Sequence, residues 1–559
     1  MVQQIRDPSL RSSLHLPVHR QQAREFAIGS GSAILREPLL YRWFVLNEPN
    51  AHETISFSAA CLKTLRRLAE NGLEEIVNRR DFMKFGGAAA IELGAARLLM
   101  SQSQPAMAGM RVDPAAPQAS KANFTLRIAP VTVELTPNRV ISTIGYNGTA
   151  PGPLLRMREG QSVTVDVLND TDVPELVHWH GLFLPGEVDG VEEEATPMVP
   201  PRGRIRYQFT PRPAGTRWYH THTMAMADLH RGGYTWQFGF LMIDSGNDPG
   251  NYDKEVFLAL REWEPYFSPE EMDDDDASAT GPEPERPKNL DTSPSGLEVG
   301  YQMFSINDKC LGAGEPIRVQ PGQRVLMHLL NASASMNRRI ALPGHKFRIV
   351  ALDGNPVPTP REVDVVYMGP GERVDAIVEM NQPGIWILGA TTDNDRNAGM
   401  GILIEYANQY KQPQWVAPPK SFWDYTIFGR TGMQPAPDQT IDMIFEKIPS
   451  GAGLFNSWTV NGKEYPHDRE FVLKQGARYR LVFRNRSEDD HPLHMHRHSF
   501  ELVEINGKAT AGVMKDTVIV PGYGRATVDL VADQPGLTLF HCHIQQHMDY
   551  GFKALFRYA

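Results

Sequence analysis

Three stretches of this chain repeat one pattern, and that repetition limits the possible folds more than any single motif does. Asn147-Gly148 is followed by Leu154-Leu-Arg-Met-Arg-Glu-Gly160, an alternating segment and Asn169. Asn307-Asp308 is followed by Ile317-Arg-Val-Gln-Pro-Gly322, an alternating segment and Asn331. Asn461-Gly462 is followed by Phe471-Val-Leu-Lys-Gln-Gly476, an alternating segment and Asn485. Gln161-Ser-Val-Thr-Val-Asp-Val-Leu168 exchanges polar and apolar residues one by one, the period of a half-buried strand. Arg324–Leu330 and Tyr479–Arg484 have the same habit. Three β-sandwiches in a row satisfy the pattern, with boundaries near 245–255 and 408–422.

A chain of 559 residues has room for this, and its 47 glycines and 43 prolines suit a loop-rich all-β protein. Net charge is -10 with no long basic run, which argues against nucleic-acid binding. The cysteines are Cys61, Cys310 and Cys542, too few for a disulfide framework. Cys310 reads as a small buried apolar residue.

Ten of the eighteen histidines fall in four short clusters. They are His178-Trp-His180, His220-Thr-His222, His491-Pro-Leu-His494-Met-His496, and His541-Cys542-His543 with His547 four residues on. Neutral imidazole is the commonest metal ligand, and imidazole with thiolate suits copper. On a strand, residues two apart project to one face. The pairs His178/His180, His220/His222 and His541/His543 can therefore converge on one centre, with His494 and His496 bringing the total to eight. Cys542 must point the other way, with His491 and His547 as partners. Cysteine plus two histidines is the blue-copper arrangement. One strand then joins two metal centres covalently. Reducing O2 to two waters takes four electrons, and one copper at the cysteine with three in the histidine cluster can hold four. Nothing about zinc requires such a bridge.

These four clusters resemble those of the multicopper oxidases, and the likeness spans about 123–559. It implies three consecutive cupredoxin-like Greek-key β-sandwich domains, 123–248, 255–408 and 420–559, with the cluster between the first and third. By motif position His491, Cys542 and His547 resemble type 1 ligands, and His178 and His494 type 2 ligands. His180, His220, His222, His496, His541 and His543 resemble type 3 ligands. The implied cofactor is four coppers per chain, and the implied partners are O2 and a small reducing substrate, a phenol, an aromatic amine or a metal ion. Gly181-Leu-Phe-Leu-Pro-Gly-Glu-Val-Asp189-Gly190 is similar to bacterial copper-efflux oxidases, in which the aspartate at the position of Asp189 assists proton delivery. The other reading of Asp189 is that it orders a turn. The sequence departs from the family at two places. Met548 stands where many bacterial members carry a second acid, and Asp549 beside it faces away if the segment is extended. Phe552 stands at the axial position and cannot donate to copper. Met224 and Met226 read as core. His498 reads as structural, and His230, His328, His345 and His467 lack partners at ligand spacing.

A leader precedes the repeats. Residues 78–84 read Asn-Arg-Arg-Asp-Phe-Met-Lys, an Ala/Gly-rich apolar stretch follows to Met100, and Ala106-Met107-Ala108 is an A-x-A site. In that order they resemble a twin-arginine export signal spanning 78–108. Glu92 and Arg97 interrupt the stretch, which is too short to anchor in a membrane. The expectation is cleavage after Ala108 and a periplasmic or secreted protein. Residues 1–77, with one helical piece at 59–76, are either an upstream start-codon assignment or a genuine extension. The acidic run Glu270–Asp276 reads as a solvated insertion. The donor's identity and the oligomeric state are not readable.

Overall fold

The computed structural model describes residues 121–559 except 247–249, 270–295, 433, 452–453 and 467–469. The extension 1–77, the leader 78–108, Cys61, His467 and the acidic run 270–276 lie outside the described residues. The described residues form one compact unit.

The described chain is almost entirely β, and each repeat copy builds two sheets. In the first copy Phe124–Thr136 lies between Arg139–Tyr146 and Val163–Asn169, with Arg204–Phe209 at the edge. Its second sheet orders Leu155–Arg158, Phe238–Asp244, Gly215–His220 and His178–His180. The central copy pairs a six-stranded sheet around Arg324–Asn331 with a five-stranded one around Ile385–Ala390. The third repeats that plan around Arg478–Asn485 and Leu537–Cys542. In every copy the opening strand runs parallel to the strand that ends at the closing asparagine. A parallel neighbour requires a crossover rather than a hairpin, and the crossover carries the chain from one sheet to the other.

The asparagines explain why three divergent sequences make the same turns. Asn147, Asn307 and Asn461 have φ of 55°, 57° and 53°. Asparagine tolerates this left-handed region and can hydrogen-bond locally. Each side-chain oxygen accepts a backbone N–H from the opening strand, of Arg127, Ala259 and Ile444 respectively. Each amide donates back to that strand, to the carbonyls of Thr125, Phe257 and Asp442. The closing asparagines act one loop later. Asn169, Asn331 and Asn485 are buried, accept from the N–H two residues on, and donate to Val173, Met336 and Asp489 carbonyls. They fix the loop that leads into the strand where ligands lie in the outer copies.

Burial ties the copies together. The central and third copies share one apolar core, from Leu258 and Phe347 to Leu530 and Phe556. The first copy has its own, around Val165, Trp179 and Tyr207. A third cluster of Val131, Trp218 and Trp236 with Trp263, Cys310 and Leu330 joins the first copy to the central one. Cys310 is a free, buried thiol within it, and burial raises it to about 11. Among the described residues no helix is long and apolar enough to cross a membrane.

Candidate metal centre

The strand Leu537–Cys542 lies beside His491–Met495, with Leu493 opposite Cys542 and His494 opposite His541. In the first copy His178 stands opposite His220. Alternation along the strand sends sulfur and imidazole to opposite faces. Cys542 Sγ lies 3.7 Å from His491 Nδ1 and 3.6 Å from His547 Nδ1. Ser487 Oγ donates to Asn485 Oδ1 at 2.8 Å and so accepts from His491 Nε2, also 2.8 Å away, which leaves the Nδ1 lone pair facing the sulfur. Trp458 packs against both rings, at 4.0 Å from His547 and 4.8 Å from His491. Phe552, fully buried, closes the site 4.9 Å from His491. Burial pulls His491 down to about 3 and pushes the Cys542 thiol above its ordinary range. Cys542, His491 and His547 would hold a metal here in place of the thiol proton.

On the other face eight imidazoles converge. The donor atoms of His180, His220 and His543 lie within 4.8 Å of one another, as do those of His222, His496 and His541, and those of His178, His180 and His494. Burial, reinforced by neighbouring histidines, holds His180, His220, His222, His494, His496 and His543 well below the usual imidazole range, hence neutral. Five rings turn Nδ1 outward, to carbonyl or carboxylate oxygen: His178, His220, His494, His496 and His541. Their Nε2 lone pairs therefore point inward. His496 Nε2 lies 3.0 Å from His541 Nε2, and neither has a proton to share. The Nε2 atoms of His178, His494 and His543 are buried with no partner. Inward lone pairs and orphaned nitrogens gathered at one place call for a cation or a hydrogen-bond donor among them, and the imidazole and thiolate donors fit copper.

Carboxylates frame the cluster. Asp189 ends the short helix Gly186–Asp189, which Gly190 terminates with φ 94°. The Val-Asp-Gly turn therefore exists, and the carboxylate is free of it. Asp189 Oδ2 lies 3.0 Å from His496 Nδ1 and 3.2 Å from His178 Nδ1. Two acids escaped the sequence reading. Glu194 is buried, accepts the Leu539 N–H at 2.6 Å and lies 3.8 Å from His496. Burial and the nearby Asp189 charge push its carboxyl well above the usual range. Asp516 meets His180 and His494. The segment of Asp549 is not extended, contrary to the expectation from sequence, and no cluster histidine is among the hydrogen-bond partners of its carboxylate. Gln545–Asp549 is a helical turn, and the Asp549 carboxylate accepts the N–H groups of Ala225 and Met226 and the amide of Gln545. Burial raises it to about 6. A cavity beside His220, His222, His541 and His543 is lined by Gln545 and Met548.

Met224 and Met226 do not pack in the core as expected. Each is 42% exposed, and Met226 sits in a turn with φ 52°. The other described histidines have structural partners or lie at the surface. His328 pairs with Asp375 and Glu255, His345 with Tyr406, and His498 with Tyr558. His230 is solvent-exposed.

Family models described as multicopper oxidase match residues 127–248, 254–408 and 439–559. The chain belongs to the multicopper oxidase family. It is 30% identical to multicopper oxidase MmcO of Mycobacterium tuberculosis, over 86% of this chain and 96% of that protein. It is 26% identical to the iron transport multicopper oxidase fetC of Epichloe festucae, over 74% of this chain and 72% of that one. Copper resistance protein A of Pseudomonas syringae pv. tomato is 24% identical, with 86% and 98% covered. Among solved structures, a multi-copper oxidase from Pseudomonas thermotolerans superposes with a TM-score of 0.59 at 27% identity, covering 78% of this chain and all of that one. This multicopper oxidase is thus a copper-dependent oxidoreductase that uses O2, built from three cupredoxin-type domains.

Proposed function

We propose that this multicopper oxidase is exported and couples one-electron oxidation of phenols or aromatic amines to four-electron reduction of O2 to water. Four coppers are assigned. His491, Cys542 and His547 would hold type 1, His178 and His494 type 2, and His180, His220, His222, His496, His541 and His543 the type 3 pair. Bound copper supplies one-electron storage and the site of O2 reduction.

The observation that carries this reading is the two-faced strand. Cys542 Sγ faces His491 and His547, while the adjacent His541 joins His222 and His496, and His543 joins His180 and His220. The peptide between them is a covalent route from the electron-entry side to the oxygen side. On the entry side the Trp458 ring covers His547, and the Trp458 backbone N–H bonds the carbonyl of Tyr550, whose ring stacks on half-buried Phe455. That aromatic surface suits a planar organic donor. On the oxygen side the chain must deliver protons and exclude bulk water. Asp189 is placed for the first task, between His178 and His496, with Glu194 behind it. Asp189→Asn is expected to lower turnover about 10²-fold with the thiolate–copper visible band intact.

Oxidation of a metal ion is the second reading, favoured by the names of relatives concerned with iron transport and copper resistance. Oxygen uptake by the copper-loaded enzyme decides between them. Rapid uptake with phenols or aromatic amines and no added metal is expected. Uptake seen only with cuprous or ferrous ions would reverse the order. Export through the twin-arginine leader is supported by its order of features, and an exported form starting near Gly109 on N-terminal sequencing would bear it out.

A further inference from the structure

His180 is held the opposite way round from the five rings that turn Nδ1 outward. Its Nε2 lies 3.1 Å from Asp516 Oδ1 and 3.2 Å from Thr517 Oγ1. An ionised carboxylate only accepts, so the proton sits on Nε2 and the Nδ1 lone pair turns inward. That nitrogen faces His220 Nε2 at 3.4 Å.

Asp516 is itself immobilised. Arg373 grips both its oxygens, at 2.8 and 2.6 Å, the two-pronged geometry that fixes position as well as charge. Thr517 Oγ1 donates to Oδ1 at 3.0 Å. The Asp516 carbonyl accepts from His494 Nδ1 at 2.8 Å. One residue therefore orients two rings, by opposite nitrogens. Arg373 comes from the central copy, which contributes no ligand candidate among the described residues. It is anchored there by the carbonyls of Gly371 and Asp353, and it reaches the Thr216 carbonyl of the first copy. None of these side chains is exposed: His180, Asp516 and Arg373 are each at 0%. Gly181 makes the approach possible. A Cβ there would lie 2.7 Å from Asp516 Oδ2 and 2.8 Å from Arg373 Nη2.

We propose that Arg373 and Asp516 are positioning residues through which the central domain imposes the Nε2–H tautomer on His180 and so selects the nitrogen offered to copper. This rests on the assignment of the eight histidines as copper ligands. Orienting partners of this kind change metal affinity by about 10- to 100-fold when removed.

The test compares wild type, Arg373→Met, Asp516→Asn and Arg478→Met. The last breaks ion pairs to Asp529 and Glu501 that touch no ligand candidate. Nitrogen-15 spectra of the metal-free, histidine-labelled proteins report the His180 tautomer, identified through His180→Gln. Copper retained against a chelator is measured on the loaded proteins. In wild type the His180 proton is expected on Nε2. Arg373→Met and Asp516→Asn are expected to mix the tautomers and to hold cluster copper about 10- to 100-fold less tightly, with the Cys542 visible band kept. Arg478→Met should do neither. Should Arg373→Met not fold, Arg373→Lys keeps the charge, loses the two-pronged grip and is read the same way. A wild-type His180 protonated on Nδ1, or variants unchanged in both tautomer and copper retention, would overturn the proposal. A wild-type Nε2 tautomer that both variants lose, in a protein that binds no cluster copper, upholds the positioning role and sinks the ligand assignment instead.

Discussion

The central and third domains share a backbone around the proposed type 1 position, and one holds an ion pair where the other holds candidate copper ligands. Ala390 pairs with Ile340 as Cys542 pairs with Leu493, which sets Arg338 at the place of His491. The N–H of Ala390 bonds the carbonyl of Met400 as that of Cys542 bonds Phe552. The N–H of Met400 bonds the carbonyl of Asp395 as that of Phe552 bonds His547. The triad His491, Cys542 and His547 thus corresponds to Arg338, Ala390 and Asp395. Arg338 Nη1 lies 3.4 Å from Asp395 Oδ2, and its guanidinium stacks 4.2 Å over Phe304. A buried cation is satisfied in both places, carried by the chain in one and to be supplied by a metal in the other. The fold provides the position, and three side chains decide its chemistry.

The largest contrast is expected at the sulfur position. Cys542→Ser should abolish the visible thiolate–copper band and reduce donor oxidation to background, while Ala390→Ser leaves band and turnover unchanged. Donor oxidation surviving in Cys542→Ser would break the comparison. The closing asparagines come next. Asn331→Ala and Asn485→Ala should each cost about 2–4 kcal/mol in denaturant unfolding, because several buried hydrogen bonds go unmade. Only Asn485→Ala should also shift the visible band, since it fixes Ser487 and Ser487 orients His491.

A smaller effect is specific to the central domain and appears with pH. Burial alone pulls His328 down, but the facing carboxylates of Asp375 and Glu255 outweigh it and raise it to about 9 from an ordinary 6.5. The folded state binds this proton more tightly than the unfolded chain does. The stabilisation, at most about 3 kcal/mol, is complete below pH 6.5 and is lost as pH rises through about 9. Unfolding of His328→Gln across that range should lack this decline. Least of all, Phe552→Met should lower the type 1 reduction potential by adding a thioether donor, whereas Met400→Phe should leave it alone. A potential that is unchanged or higher in Phe552→Met counts against Phe552 facing the copper.

Much of this architecture is written locally. Asn147, Asn307 and Asn461 could be found because a left-handed turn needs a short list of residues and recurs at one spacing. The candidate ligands could be found because imidazoles two apart on a strand share a face. Glu194, Arg373 and Asp516 had no such mark: each is one charge among many, and its meaning arises only where three domains meet. Asp549 was misread by carrying strand alternation past Cys542, where Ile544 starts a helical turn. Met224 and Met226 were misread from side-chain hydrophobicity alone, while the positive φ at Met226 turns the segment toward solvent. The likeness of Arg338 to His491 is invisible without strand register.

The contacts that frame the histidine cluster join distant parts of the chain: 307 residues separate Asp189 from His496, and 345 separate Glu194 from Leu539. A polypeptide that lacks either the first or the third domain cannot assemble that pocket, since each supplies four of its eight imidazoles. Metal acquisition would therefore wait on the synthesis of both domains, and a full copper complement would certify that the two had been made and brought together.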